Sequence, residues 1–222
     1  MSNQYTITMA ISLLKKEHYS PDDETLKGKS KFWGFPDMPD ELYYPYYEGD
    51  PLTFICQINL EELHNQIKAP CPLPSRGMLY FFADIDYFLG WSDNLENGIG
   101  LWPKDSFRVL YAEDISNLNT HKSYFEDGTP AAPDACSMVF SPCPETEHGH
   151  KLLGEPFFDE VLEEISAISE GTSSEYLSLL QIDEDDDWDL RFYDSGMINF
   201  IIDSESLLKK DFSKCKFYFH SL

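Results

Sequence analysis

The chain has 222 residues, with 16 Lys plus Arg against 40 Asp plus Glu and a formal charge of −24. That acidity argues against nucleic acid and anionic membrane surfaces as partners, because affinity for phosphate comes from Lys and Arg displacing counterions and no basic stretch interrupts the acid. Hydrophobic content of 42%, with 15% aromatic, is too rich for a disordered chain and sufficient for a packed core.

The first twenty residues place an apolar run ahead of their lysines with no small-residue cleavage site after it, so a secretory signal is not expected. No window approaches the ~18 uninterrupted apolar residues of a spanning helix, and the expected compartment is the cytoplasm. Residues 7–16 read as an N-terminal helix. The run LTFICQIN at 52–59 reads as a strand, as does GMLYFFAD at 77–84, and between them Leu60, Leu63 and Ile67 mark one face of a short helix that ends before Pro70. Residues 92–104 and 121–133 are loops rich in Gly, Pro, Asn and Asp. Residues 157–168 repeat apolar positions at helical spacing, LSLLQID at 177–183 and GMINFIID at 196–203 are again strands, and 204–210 reads as two helical turns capped by Ser204. Cys56, Cys71, Cys136, Cys143 and Cys215, odd in number and widely spread, read as reduced thiols.

The second half repeats the first. KFWGFP at 31–36 is answered by KLLGEP at 151–156, the Gln57 strand by the Gln181 strand, and the Gly77 strand by the Gly196 strand, at offsets of 120, 124 and 119 residues. A looser match pairs FRVLY at 107–111 with CKFYF at 215–219. The expectation is an α+β, strand-dominated single domain over residues 1–222, internally duplicated about a pseudo-twofold axis. Its repeats are about 30–114 and 150–219, with a few short helices packed on the sheets. Gly34, Pro36, Gly77, Gly154, Pro156 and Gly196 are the structural motif residues, and Gly77 and Gly196 are expected to take positive φ on entering their strands.

The residues SKFWGFPDMP at 30–39, followed by Pro45, the 54–60 run, Leu73-Pro74 and Gly77, resemble the YwqG-like family, domain of unknown function 1963. HKLLG at 150–154, LLQID at 179–183 and Asp194-Ser195-Gly196 agree, so the resemblance covers roughly residues 30–219. It implies a bacterial, soluble, single-domain protein and brings no established reaction or catalytic residue.

DEDDDWD at 183–189 has the carboxylate spacing that opens a calcium loop, but Trp188 stands where the sharp turn needs glycine and Asp194 where the bidentate Glu belongs. It reads as a solvated acidic hairpin tip or as a partner-binding patch, Asp185, Asp186 and Asp187 surrounding an exposed Trp188. His148 and His150, with Cys136, Cys143, Glu145 and Glu147, match no zinc spacing, so no metal or other cofactor is expected. Nucleophile elbows, P-loops and dinucleotide fingerprints are missing, and no catalytic residue is nominated. Gln57 and Gln181, amides inside apolar strands, either satisfy backbone groups of a loop or of the other half, or line a central groove that reads a ligand. The leading expectation is a non-enzymatic acidic interaction protein that binds a basic protein partner, of which an immunity-type protein neutralising a basic toxin is one form. The alternative is a small-molecule-binding or hydrolytic protein with a site between the repeats, lined by Trp33, Tyr43, Tyr44, Tyr46 and Tyr47.

Overall fold

The structure is a computed structural model that describes residues 10–85, 97–168, 175–193 and 195–221. In chain order its elements are β1 (Ala10–Tyr19), β2 (Lys31–Phe32), β3 (Asp37–Met38), β4 (Tyr46–Tyr47), β5 (Asp50–Pro51), β6 (Thr53–Asn59), α1 (Leu60–Ile67), β7 (Met78–Ala83), β8 (Gly100–Leu101), β9 (Phe107–Ala112), β10 (Asn119–Thr120), β11 (Ala135–Cys143), β12 (Lys151–Leu152), α2 (Asp159–Ile168), β13 (Tyr176–Asp183), β14 (Met197–Asp203), α3 (Ser204–Leu208) and β15 (Lys216–His220). It is strand-dominated, with three short helices among the described residues.

Eleven of these strands form one antiparallel sheet in the order β8-β15-β14-β13-β12-β1-β11-β2-β6-β7-β9, and two small ribbons pair β10 with β3 and β4 with β5. The centre of the sheet is crossed. β1 leads through its loop to β2 yet pairs with β12, while β11 leads to β12 yet pairs with β2. The two long strands themselves run antiparallel, from Ala10 opposite Cys143 to Tyr19 opposite Ala135. The helix expected over residues 7–16 is therefore corrected to a strand from Ala10 onward, residues 7–9 lying outside the described residues. Partners on both edges, more than 110 residues away, satisfy its backbone, and such tertiary pairing overrides a weak local preference.

The inner strands are buried on both faces, and alternate side chains go to different cores. In β7, Leu79, Phe81 and Ala83 join the main core while Met78, Tyr80 and Phe82 join a second cluster with Phe54 and Leu52. β14 does the same: Ile198, Phe200 and Ile202 face the main core, and Ile201 meets Val161 and Ile165 of α2. The sheet curls so that its ends meet over the main core, with Phe81 against Phe200 at 5.2 Å and Phe107 against Phe217 at 5.7 Å between ring centroids. Asn59 caps α1 by accepting hydrogen bonds from the Glu61 and Glu62 N–H groups. The cap of α3 is Asp203 rather than the expected Ser204, its carboxylate accepting from the Ser206 N–H at 2.9 Å.

Gly77 has the expected positive φ, at 94°. Gly196 does not; there the left-handed residues are Tyr193 and Ser195, and glycine is required because a Cβ would stand 2.1 Å from the Phe192 carbonyl oxygen.

Both glutamines are completely buried and satisfy loop backbone within their own part of the sheet. Gln57 Nε2 donates to the Lys29 carbonyl at 2.7 Å and its Oε1 accepts from the Asp37 N–H at 2.9 Å. Gln181 Nε2 donates to the Gly149 carbonyl at 2.8 Å and its Oε1 accepts from the Phe157 N–H at 2.8 Å. Lys31 lies opposite Gln57 and Lys151 opposite Gln181. Around Gln57 the network includes a buried ion pair: the Asp37 carboxylate accepts from Lys31 Nζ at 2.8 Å, Gln57 Nε2 at 2.9 Å, the Gly28 N–H at 3.0 Å and Thr120 Oγ1 at 2.7 Å. Burial would raise the Asp37 carboxyl, but Lys31 and these donors hold it below its ordinary value.

A leucine at either position strands a buried N–H and a buried carbonyl. Gln57→Leu and Gln181→Leu are each expected to lower unfolding free energy by about 2–4 kcal/mol, read from urea denaturation, with Gln57 the larger because Asp37 loses a donor as well.

Candidate functional site

The acidic run 183–189 connects β13 to β14 and folds back across β1 instead of projecting into solvent. Its carboxylates are mostly committed. Asp183 pairs with His148 at 3.0 Å, and burial pushes its carboxyl above the ordinary value. Glu184 Oε1 accepts from the N–H groups of Phe192, Ser195 and Gly196 at 2.9, 3.2 and 3.0 Å, which fixes the turn into β14. Asp186 pairs with Arg191, and Asp187 with Lys15 at 2.8 Å.

Asp185 is the anchor. Lys15 Nζ, from β1, donates to its carboxylate at 2.5 Å, and His150 Nε2 lies 3.1 Å from Oδ2. The Asp183 N–H donates to His150 Nδ1 at 3.2 Å, so the ring proton sits on Nε2 and is directed at Asp185. Burial alone would raise the Asp185 carboxyl; the bonds from His150 and Lys15 outweigh it and hold the group at about 2.

Trp188 corrects the expectation of an exposed aromatic at a hairpin tip. Its ring is half-buried, stacked on His150 at 5.0 Å, edge-to-face with Trp33 at 5.5 Å, tilted against Phe32 at 4.9 Å and covered by the Lys15 ammonium at 4.9 Å. An indole between charges has more apolar surface to lose than the loop loses by bending inward, and β1 supplies the cation that neutralises the bend. Asp186 and Asp187 remain outward, with side chains 89% and 68% exposed.

Beside Trp188 is a cleft of about 200 Å³ lined by His18, Trp33, Pro133, Asp134, Asp187, Trp188 and Leu190. The crossing builds it: His18 near the end of β1 and Asp134 just ahead of β11 are neighbours because those strands pair antiparallel. Trp33 follows β2, and the acidic loop closes the other wall. The expected grouping of Trp33 with the tyrosines does not form. Tyr44 packs edge-to-face on Phe82 at 5.2 Å and bonds the Leu52 carbonyl at 2.9 Å, in the second cluster together with Tyr47, whereas Trp33 belongs to the main core. Tyr43 and Tyr46 are exposed. Gln57 and Gln181 line no groove, being spent on loop backbone, and the buried Pro36 and Pro156 shape the turns after β2 and β12. Sequence reasoning missed Lys15, His18, Asp134 and the role of His150; none carries a local signal, since each acts across more than 30 residues.

Among the described residues no three or more His, Cys, Asp or Glu side chains gather as a metal site, and the five cysteines are free thiols. No helix of the described residues is long and apolar enough to cross a membrane.

The fold and cleft define a strand-dominated α+β protein with a small aromatic and acidic recess beside the β1–β11 pair. The chain belongs to the family described as Domain of unknown function (DUF1963), whose model matches residues 30–220. No curated protein matches it.

The folded Asp185 carboxyl titrates below its unfolded value, so its contribution to stability is full above about pH 4 and is lost as pH falls toward about 2. Asp185→Asn is expected to cost about 1–2 kcal/mol at pH 7, after allowance for solvent on the Lys15 side, and to flatten the fall in stability over that acid range in pH-dependent urea melts.

Proposed function

We propose that this is a binding protein rather than an enzyme, and that it engages a basic protein partner through the surface around the Trp33–Trp188 cleft. The observation that carries the reading is the combination of 24 excess negative charges with three outward carboxylates, Asp134, Asp186 and Asp187, around that recess. Complementary fields raise the rate of encounter and reject like-charged competitors. Because Asp185 is consumed by Lys15 and His150, the steering charges are Asp186 and Asp187, and Asp185 holds the loop in place.

We also infer that residues 30–114 and 150–219 are copies of one ancestral unit sharing one core within a single domain. Supporting this are the matched amide bonds of Gln57 and Gln181, the ladder irregularities at Phe54/Cys56 and Ser178/Leu180, and the left-handed Trp33-Gly34 and Leu153-Gly154 pairs. Gly34 approaches Ala135 at the start of β11, and Gly154 approaches Ala10 at the start of β1, as a twofold axis through the β1–β11 pair requires. On this reading the cleft lies near the axis, and the copies differ where α1 follows β6 in one and the acidic loop follows β13 in the other.

The partner that co-purifies from the native host is expected to be basic, with an association rate that falls steeply once added salt brings the Debye length to ~10 Å or less. Asp186→Asn with Asp187→Asn should slow association several-fold and leave dissociation nearly unchanged in surface-binding kinetics. An acidic partner, or a neutral metabolite alone, overturns the reading.

A further inference from the structure

Resting on that reading, we propose that the Trp33–Trp188 cleft is a receptor for one cationic side chain of the partner, a guanidinium inserted between the Trp188 indole and the carboxylates of Asp134 and Asp187. Four observations converge on it. The lining holds the carboxylates of Asp134 and Asp187, and with Asp185 and the Lys15 ammonium at the rim the local charge stays negative, so a cation that enters is attracted and an anion is repelled. One wall is the half-buried Trp188 indole, backed edge-to-face by the buried Trp33, and tryptophan is the best of the aromatic side chains at holding a cation on its ring.

The chain already uses this combination once. The Lys15 ammonium lies 4.9 Å from the centre of the Trp188 ring and 2.8 Å from the Asp187 carboxylate, so ring plus carboxylate holds a cation at the rim of the same recess. Asp187 keeps most of its surface in solvent, and Asp134 is exposed with no ion pair among the described residues, so both retain acceptor capacity toward a second cation.

Volume selects the ligand. A recess of about 200 Å³ is below the ~300–1,000 Å³ that encloses a drug-sized metabolite and suits the end of one side chain. A planar guanidinium stacks on an indole and bonds a carboxylate through two parallel N–H groups, which a compact ammonium cannot do. This places the anchor of the interface in the cleft and leaves the steering to Asp186 and Asp187 outside it.

The test uses butylguanidinium as probe, with butanol and butyrate as controls, and follows the indole N–H signals of the full chain by nuclear magnetic resonance. Expected are saturable shifts at Trp33 and Trp188 with butylguanidinium alone, and about threefold or greater weakening by Asp134→Asn. Glu61→Gln, an exposed charge change on α1, should leave the affinity unaltered. Equal binding of butanol, or unchanged affinity in Asp134→Asn with its native spectrum retained, overturns the cation site. If the basic partner binds while butylguanidinium leaves both indoles unmoved, the cleft assignment fails and the proposed function stands. If butylguanidinium binds and no basic partner is retained at low salt, the proposed function fails instead.

Discussion

The antiparallel pairing of β1 with β11 is the constraint on which the rest of the structure depends. Each of these strands is delivered to the far side of the sheet from the segment that follows it, so neither side has a complete edge without the other. The apolar consequence is a main core that runs across the crossing, from Ile55 and Phe81 on one side to Phe200 and Phe217 on the other. The polar consequence is the site. The same register that brings Lys15 beneath the acidic loop brings His18 beside the start of β11, and with it the Asp134 wall.

A chain with so large an excess of acid has few cations to spend; Lys31 and Lys151 are buried, Lys151 on the Glu145 carbonyl at 2.6 Å, and Lys15 is drawn partly inside. Lys31 is buried against Asp37, whose carboxylate also accepts from Gln57, Thr120 and the Gly28 N–H. Lys15 is only partly buried and divides its charge among Asp185, Asp187 and the Trp188 ring. The first arrangement is rigid because removing either partner leaves a charge in the core. The second is wet on one side, which is the setting in which a loop can be held firmly while its outer carboxylates stay available.

How much of this was legible in the sequence depends on range. The doubly buried strands around Gln57 and Gln181, the face of α1 and the backbone duty of the two amides follow from local pattern, because alternation, capping and the cost of an unpaired amide act over a few residues. From sequence β1 reads as a helix because Ala10, Ile11, Leu13 and Leu14 fit either period, and the choice is made by strands more than 120 residues away from them. Trp188 was misread for a related reason. A tryptophan in an acidic run looks exposed until Lys15 and His150, distant by 173 and 38 residues, are found against its ring. Of the tyrosines around Pro45 only Tyr44 and Tyr47 pack into the second cluster while Tyr43 and Tyr46 stay exposed, because which side chains a sheet face covers is a register property, and register is not written in composition.

The crossing also orders events during synthesis. β1 emerges first, yet its partners β11 and β12 are encoded more than a hundred residues later, so at ordinary translation rates the strand waits on the order of ten seconds for its edges. Until then Ile11 and Leu13 lack their partners, and an unpaired apolar strand edge is the state most prone to mispairing with another chain. The charged run Lys15, Lys16 and Glu17 directly follows them, and a flank of that composition discourages such pairing.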